Sequence, residues 1–167
     1  AVMLSGETSV GEYPAITVAT MARIVTSTEE HGLDRIQPLG TRPRTQSGAI
    51  TLAAVEVADF VEAKYLCVFT ESGESARRMA RLRNKIPILA FTPEESVRRR
   101  MSLFWGVESF VVGRVTHTDQ MVAQVDEALK STGRAVDGDK VIIISGSPPG
   151  IPGTTNDIRV HKVGDVL

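Results

Sequence analysis

One cysteine, few aromatic residues and no apolar run longer than a strand: each shortage removes a class of function. The lone cysteine, Cys67, cannot close an internal disulfide, so the fold is not a disulfide scaffold. It lies in the apolar run Tyr65-Leu66-Cys67-Val68-Phe69, reads as a small buried hydrophobe, and fits a reducing compartment. Aromatic residues make up 5% of the chain, too few for a surface on which nucleobases stack. A formal net charge of −1 gives no bulk attraction to nucleic acid or to an anionic membrane. The apolar stretches are strand-sized, which excludes a transmembrane helix. Neither nucleic acid nor membrane is therefore expected as a partner. His117 and His161 have no metal spacing with an acid or with Cys67, His31 reads as a partner of a helix C-terminal dipole, and no nucleophile–base pair declares itself. No metal ligand and no catalytic residue is assigned.

What is present is a folded core. Apolar residues reach 42%, and 167 residues suffice for one domain, or for a domain plus a fragment of another. Ala1-Val2-Met3-Leu4 reads as a short strand. A lone strand cannot satisfy its own backbone hydrogen bonds, so its neighbours are expected elsewhere and the chain is expected to be a piece of a longer protein. Residues 5–13 read as a polar turn. From Pro14 to about His31 apolar residues recur at helical spacing; Pro14 suits the first turn and Gly32 the position past the end. This gives one strand–turn–helix unit over residues 1–32. Residues 33–45 carry prolines and a glycine without a period and read as a linker.

Residues 46–167 form the second predicted domain. A helix with Ile50, Ala53, Ala54, Val57 and Val61 on one stripe comes first. Strands at about 66–69, 88–91, 109–112 and 141–144 then alternate with helices, and Thr92-Pro93-Glu94-Glu95 reads as a helix start. A long Gly/Pro loop leads to a last strand near 158–163. Alternation implies a three-layer α/β/α, doubly wound, mostly parallel five-stranded sheet. The last connection holds no helix, so the final strand is predicted antiparallel at an edge, where Arg159, His161 and Lys162 discourage aggregation.

Two loops stand out. Thr70-Glu71-Ser72-Gly73-Glu74-Ser75 leaves a strand and opens a helix, where unpaired backbone N–H groups and the positive dipole end attract an anion. Either the loop holds a phosphate or Ser72 merely caps the helix. It lacks the G-x-x-x-x-G-K pattern of a nucleotide P-loop. The second loop runs from Ser145 to Asn156 and includes Gly146, Ser147, Gly150, Gly153 and Thr154; at twelve residues it is long for a strand connection. Either it closes over a ligand or it is a plain hairpin loop. If the strand after Ala63 and the strand before Ser145 are neighbours, both loops flank one crevice at the point where the chain order reverses. Glu71 and Glu74 repel a highly charged ligand and favour a monophosphate over a bisphosphate. Arg77, Arg78, Arg81 and Arg83 read as solvated helix-face residues, with Arg77 or Arg78 alternatively lending charge to the phosphate. Trp105 is either a packing residue or a platform beside the crevice.

Met3-Leu4-Ser5-Gly6-Glu7-Thr8-Ser9-Val10-Gly11-Glu12-Tyr13-Pro14 resembles the end of the catalytic barrel of bacterial-type pyruvate kinases, its eighth strand, turn and helix. Thr70–Ser75 resembles that family's effector-phosphate loop, Phe104-Trp105-Gly106-Val107 the segment before its third C-domain strand, and Ser145–Asn156 with Ile158-Arg159-Val160 its closing effector loop and last strand. The resemblance implies a C-terminal allosteric and oligomerisation domain plus the last barrel unit of an enzyme that moves phosphate from phosphoenolpyruvate to ADP. It implies a homotetramer, a cytoplasmic setting, Mg²⁺ and K⁺ in the full-length enzyme, and Ser5, Glu7 and Thr8 at the barrel's active-site mouth. The family's catalytic lysine, substrate-clamping arginine and ion ligands lie on earlier strands, so this chain alone is expected to be inactive and to need the rest of the pyruvate kinase chain. Family members that bind fructose bisphosphate commonly carry a basic residue in the six-residue loop; here the corresponding candidates are Glu71 and Glu74, which favours a sugar monophosphate or a nucleoside monophosphate. A free-standing phosphometabolite sensor and a purely structural oligomerisation module are the alternatives.

Overall fold

A computed structural model describes residues 2–35 and 42–165. Expectations that fall on Ala1, on residues 36–41 of the predicted linker and on the last two residues lie outside the described residues. The chain divides into two compact units, Ala1–Gly40 and Thr41–Leu167.

In the first unit, α1 (Gly6–Ser9) is a single turn and α2 (Pro14–Gly32) follows, with Leu33–Arg35 as a 3₁₀ turn. Pro14 occupies the first turn of α2, where its missing N–H costs nothing. Residues 5–13 are thus partly helical, because the Ser5 carbonyl accepts the N–H groups of Thr8 and Ser9 at 3.1 and 3.0 Å. The strand expected at the start does not form over residues 2–4. A strand exists only against a hydrogen-bonded neighbour, and none stands beside these residues among the described ones. Ile16 and Ile24 of α2 remain more than half exposed.

The second unit opens with α3 (Gln46–Phe60), capped by the Thr45 hydroxyl, which accepts the Gly48 N–H at 3.1 Å. Then come β1 (Tyr65–Phe69), α4 (Glu74–Arg81), β2 (Ile88–Thr92), α5 (Glu95–Met101), β3 (Val107–Val111), α6 (Thr118–Ser131), β4 (Lys140–Gly146) and β5 (Thr155–Lys162). The strand order is β3-β2-β1-β4-β5. All neighbours are parallel except β4 and β5, which pair antiparallel from Lys140 opposite Lys162 to Ile144 opposite Ile158.

Strand periodicity sorts the core into two layers. Leu66, Val68, Ile88, Ala90, Ile142 and Ile144 pack against α3, α4 and α5. Cys67, Leu89, Phe91, Val141 and Ile143 pack against α6. The central strands are buried on both faces, which is why they read as continuous apolar runs. Burial pushes the Cys67 thiol far above its ordinary value, so it stays neutral and packs as a hydrophobe. On the α6 face Phe69, Phe91 and Phe110 stack across three strands, with ring centroids 5.0 and 5.4 Å apart. His161 of β5 is buried and its Nε2 lies 2.8 Å from Asp126 of α6, whose other oxygen accepts the Gly164 N–H at 2.9 Å.

Candidate functional site

The strand order contains one reversal. From β1 the chain proceeds outward through β2 and β3, then returns to place β4 on the other side of β1. Loops leaving the carboxyl ends of β1 and β4 diverge there and leave a crevice. A cavity of about 410 Å³ occupies this position. One wall is Thr70, Glu71, Ser72, Glu74 and Ser75; the opposite wall includes Gly146, Gly150, Gly153 and Thr154. Ser47, Arg78 and Arg114 complete the cavity's polar lining, and Phe69, Phe91, Val112 and Met121 give it an apolar floor.

The β1–α4 loop is held by its own side chains. Thr70 Oγ1 accepts the Gly73 N–H at 2.9 Å and Ser72 Oγ takes the Glu74 N–H at 3.4 Å, but the N-cap of α4 is Gly73, without a side-chain cap. Helix geometry leaves the N–H groups of Ser75 and Ala76 without intrahelical acceptors. Gly73 adopts φ +80°, and an added Cβ would stand 3.2 Å from the Met101 side chain. Gly73→Ala is therefore expected to lower stability by about 1–2 kcal/mol from the left-handed backbone alone, read by chemical denaturation, and to loosen the loop. A variant as stable as the parent would show that the turn relaxes freely.

The two loops are joined at their base. Ser75 and Thr155 exchange a buried hydroxyl–hydroxyl bond of 2.8 Å. Asn156 closes the second loop, accepting the Ser147 N–H and donating to the Ser147 carbonyl, both at 2.8 Å. Gly146 is required by close approach, since a Cβ there would meet Thr154 Oγ1 at 2.6 Å.

The acids are not bare. Glu74 accepts two bonds from Arg77, at 2.9 and 2.8 Å, and lies 3.3 Å from Arg78; the Arg77 guanidinium holds its carboxyl below the usual range. Glu71 lies 3.3 Å from Arg114, which also grips Glu94. Of the two arginines considered from sequence, Arg78 lines the cavity and Arg77 does not. Arg78 donates to Thr45 Oγ1 at 3.3 Å, and its Nε is buried without a partner among the described residues.

Several singled-out residues lie elsewhere. Gly73 shapes the loop rather than the wall. Ser145 is buried in β4 and donates to Asp157 at 3.3 Å, and Ser147 is spent on Asn156. Trp105 is no platform for this cavity: it precedes β3, at the amino end of the sheet, whereas the cavity is at the carboxyl ends. The Arg83 guanidinium covers its ring at 4.8 Å. Ser5, Glu7 and Thr8 form a local network in the first unit, Glu7 accepting from the Ser5 N–H at 3.1 Å and Thr8 donating to the Ser5 carbonyl at 3.0 Å. Among the described residues no group of three or more His, Cys, Asp and Glu is placed to hold a metal. No described helix is long and apolar enough to cross a membrane.

Ser47, Arg114 and the Phe69–Phe91 floor were not expected from the sequence. Arg114 had a usable signal: it directly follows Gly113 after a predicted strand, and carboxyl ends of parallel strands are where ligands bind.

The profile of the family "Pyruvate kinase, alpha/beta domain" matches residues 48–161, which include both loops and all five strands but the last residue of β5. The chain belongs to the pyruvate kinase family. It is 46% identical to a pyruvate kinase of Mycobacterium tuberculosis over 165 residues, covering 99% of this chain and 35% of that protein. A pyruvate kinase of Corynebacterium glutamicum is also 46% identical, with 99% and 34% covered. A solved pyruvate kinase structure from Cryptosporidium parvum superposes with a TM-score of 0.80 at 26% identity, covering 97% of this chain and 32% of that one. The chain thus spans about a third of the length of these pyruvate kinases. The C-terminal domain of a pyruvate kinase, with its α/β sheet and antiparallel last strand, is what the sequence resemblance implied and what the fold and relatives bear out.

Proposed function

We propose that residues 46–167 are the effector-binding and tetramerisation domain of a cytoplasmic pyruvate kinase, carried here with the last strand–helix unit of the catalytic barrel. The parent enzyme would move phosphate from phosphoenolpyruvate to ADP in glycolysis, giving pyruvate and ATP. The groups that do so, with Mg²⁺ and K⁺, would lie in other parts of the protein, and this chain alone would be inactive.

One observation carries the effector reading: two loops far apart in sequence wall a single cavity at the topological switch point, with a helix N-terminus on one side. A phosphate at the polar end would take the N–H groups of Ser75 and Ala76, the hydroxyls of Thr70 and Ser72, and the charge of Arg78. A monophosphate suits the cavity better than a bisphosphate, because Glu71 and Glu74 on its wall oppose a second phosphate. Such a ligand shifts the parent enzyme only by binding one of its conformations more tightly, a coupling of about 1–3 kcal/mol in typical cases.

The tetramer reading draws on β5, an edge strand among the described residues, with half-exposed Val160 and exposed Phe60 at the end of α3. An unpaired edge beside apolar side chains is suited to a second copy.

Calorimetric titration tests the effector reading, with inorganic phosphate, glucose 6-phosphate, adenosine monophosphate and fructose 1,6-bisphosphate as the panel. Binding of a monophosphate more tightly than the bisphosphate is expected. No binding by any of the four would leave a structural module with an empty crevice.

A further inference from the structure

We infer that Arg114 is a switchable cation of the cavity: parked on Glu71 and Glu94 when the cavity is free, it turns to an anionic ligand when one binds. This rests on the cavity being a phosphate-ester site. The two carboxylates and the guanidinium come from three different loops at the carboxyl edge, those after β1, β2 and β3. Arg114 and Glu71 line the cavity, whereas Glu94 does not. The side chain of Arg114 is 62% exposed, so it is free to swing. Its backbone is not: the Gly113 carbonyl accepts the Gln124 Nε2–H at 2.9 Å, which fixes the pivot to α6.

Two carboxylates on one guanidinium carry a net charge of −1, so the trio opposes an anion until the arginine is transferred. A phosphate ester offers three acceptor oxygens, two of which the planar guanidinium fork can grip at once, and it has more charge than either carboxylate. Transfer would free Glu71 from β3's loop and so report occupancy across the sheet edge. The competition has a sign that a merely structural clasp does not. Removing Arg114 must weaken the ligand; removing its competitor, Glu94, must strengthen it although Glu94 does not itself line the cavity.

The experiment is titration of the full chain and three variants with the four-compound panel. For the tightest-binding member, Arg114→Gln is expected to weaken binding tenfold or more, and Glu94→Gln to tighten it three- to tenfold. Equal affinity in Arg114→Gln, or weakening in both variants, overturns the switch and leaves the phosphate site standing. Undiminished binding in Ser75→Asp, or no binding by the unaltered chain, overturns the cavity reading and the switch together. Thermal melts within a few degrees of the parent confirm that each variant is folded; an unfolded Arg114→Gln is replaced by Arg114→Lys, for which the same weakening is expected because lysine lacks the planar fork.

Discussion

Ser75→Asp is expected to abolish phosphate-ester binding, with affinity falling at least a hundredfold in a calorimetric titration. Ser75 is the second residue of α4 and is 8% exposed, with its hydroxyl on Thr155. A carboxylate there lies where the ligand's phosphate would sit, close enough for like charges to repel by several kcal/mol in a partly desolvated site, on the order of 332/(ε·r). It also consumes the amides that would receive the phosphate. The fold is expected to survive, for the same reasons that make the position suit an anion. An acid in the first turn is favoured by the helix dipole, typically by about 0.3–1 kcal/mol, and the Thr155 hydroxyl can turn to donate to it. A neutral control, Ser75→Ala, loses one hydroxyl bond and is expected to cost about tenfold or less in affinity, near 1 kcal/mol. In the full-length enzyme the same pair separates regulation from catalysis: basal turnover unchanged, effector response gone with aspartate and reduced with alanine. Full response in the aspartate variant would place the regulatory ligand somewhere other than this cavity.

The parts of this site that were legible in the sequence are those governed by local rules. A proline-opened helix, β-branched strands and a hydroxyl-rich strand-to-helix turn announce themselves within a few residues, and α2, β4 and the Thr70–Ser75 loop lie where their residues indicated. The antiparallel last strand was readable too, from a connection too short to cross over. What the sequence left open was adjacency. Nothing local says that β4 pairs with β1, and only that pairing turns two loops into one cavity. The Glu71 and Glu74 charges illustrate the same gap. Read along the chain they are bare acids in a phosphate loop. In space one is satisfied within its own helix by Arg77 and the other by Arg114, 43 residues away. Trp105 fails for the converse reason: an aromatic beside a glycine turn looks like a ligand platform until the direction of β3 puts it at the wrong end of the sheet. No strand forms at residues 2–4, because a strand is a property of a pair and none of the described residues pairs with them.

Phe91→Ala is expected to have the largest effect on stability, a loss of about 3–5 kcal/mol by chemical denaturation. Phe91 is fully buried in β2, stacks between Phe69 and Phe110, and belongs to the core layer under α6. Alanine removes the middle ring of the stack and leaves a void that the neighbouring strands, fixed by their ladders, cannot close. For a domain of ordinary stability, about 5–15 kcal/mol, this is a large fraction of the total. Phe91 is also part of the cavity floor, so fold and ligand are coupled at this residue. A bound ligand adds RT ln(1 + [L]/Kd), about 2.7 kcal/mol at a hundred times Kd, provided the polar end of the site survives. The polar end is built from the Thr70–Ser75 loop and the β4–β5 loop, neither of which the ring supports directly. A saturating phosphate ester is therefore expected to recover about half of the lost stability in Phe91→Ala and none in a Phe91→Ala, Ser75→Asp double variant. Recovery in both would mean that the ligand stabilises the chain from a site other than the switch point.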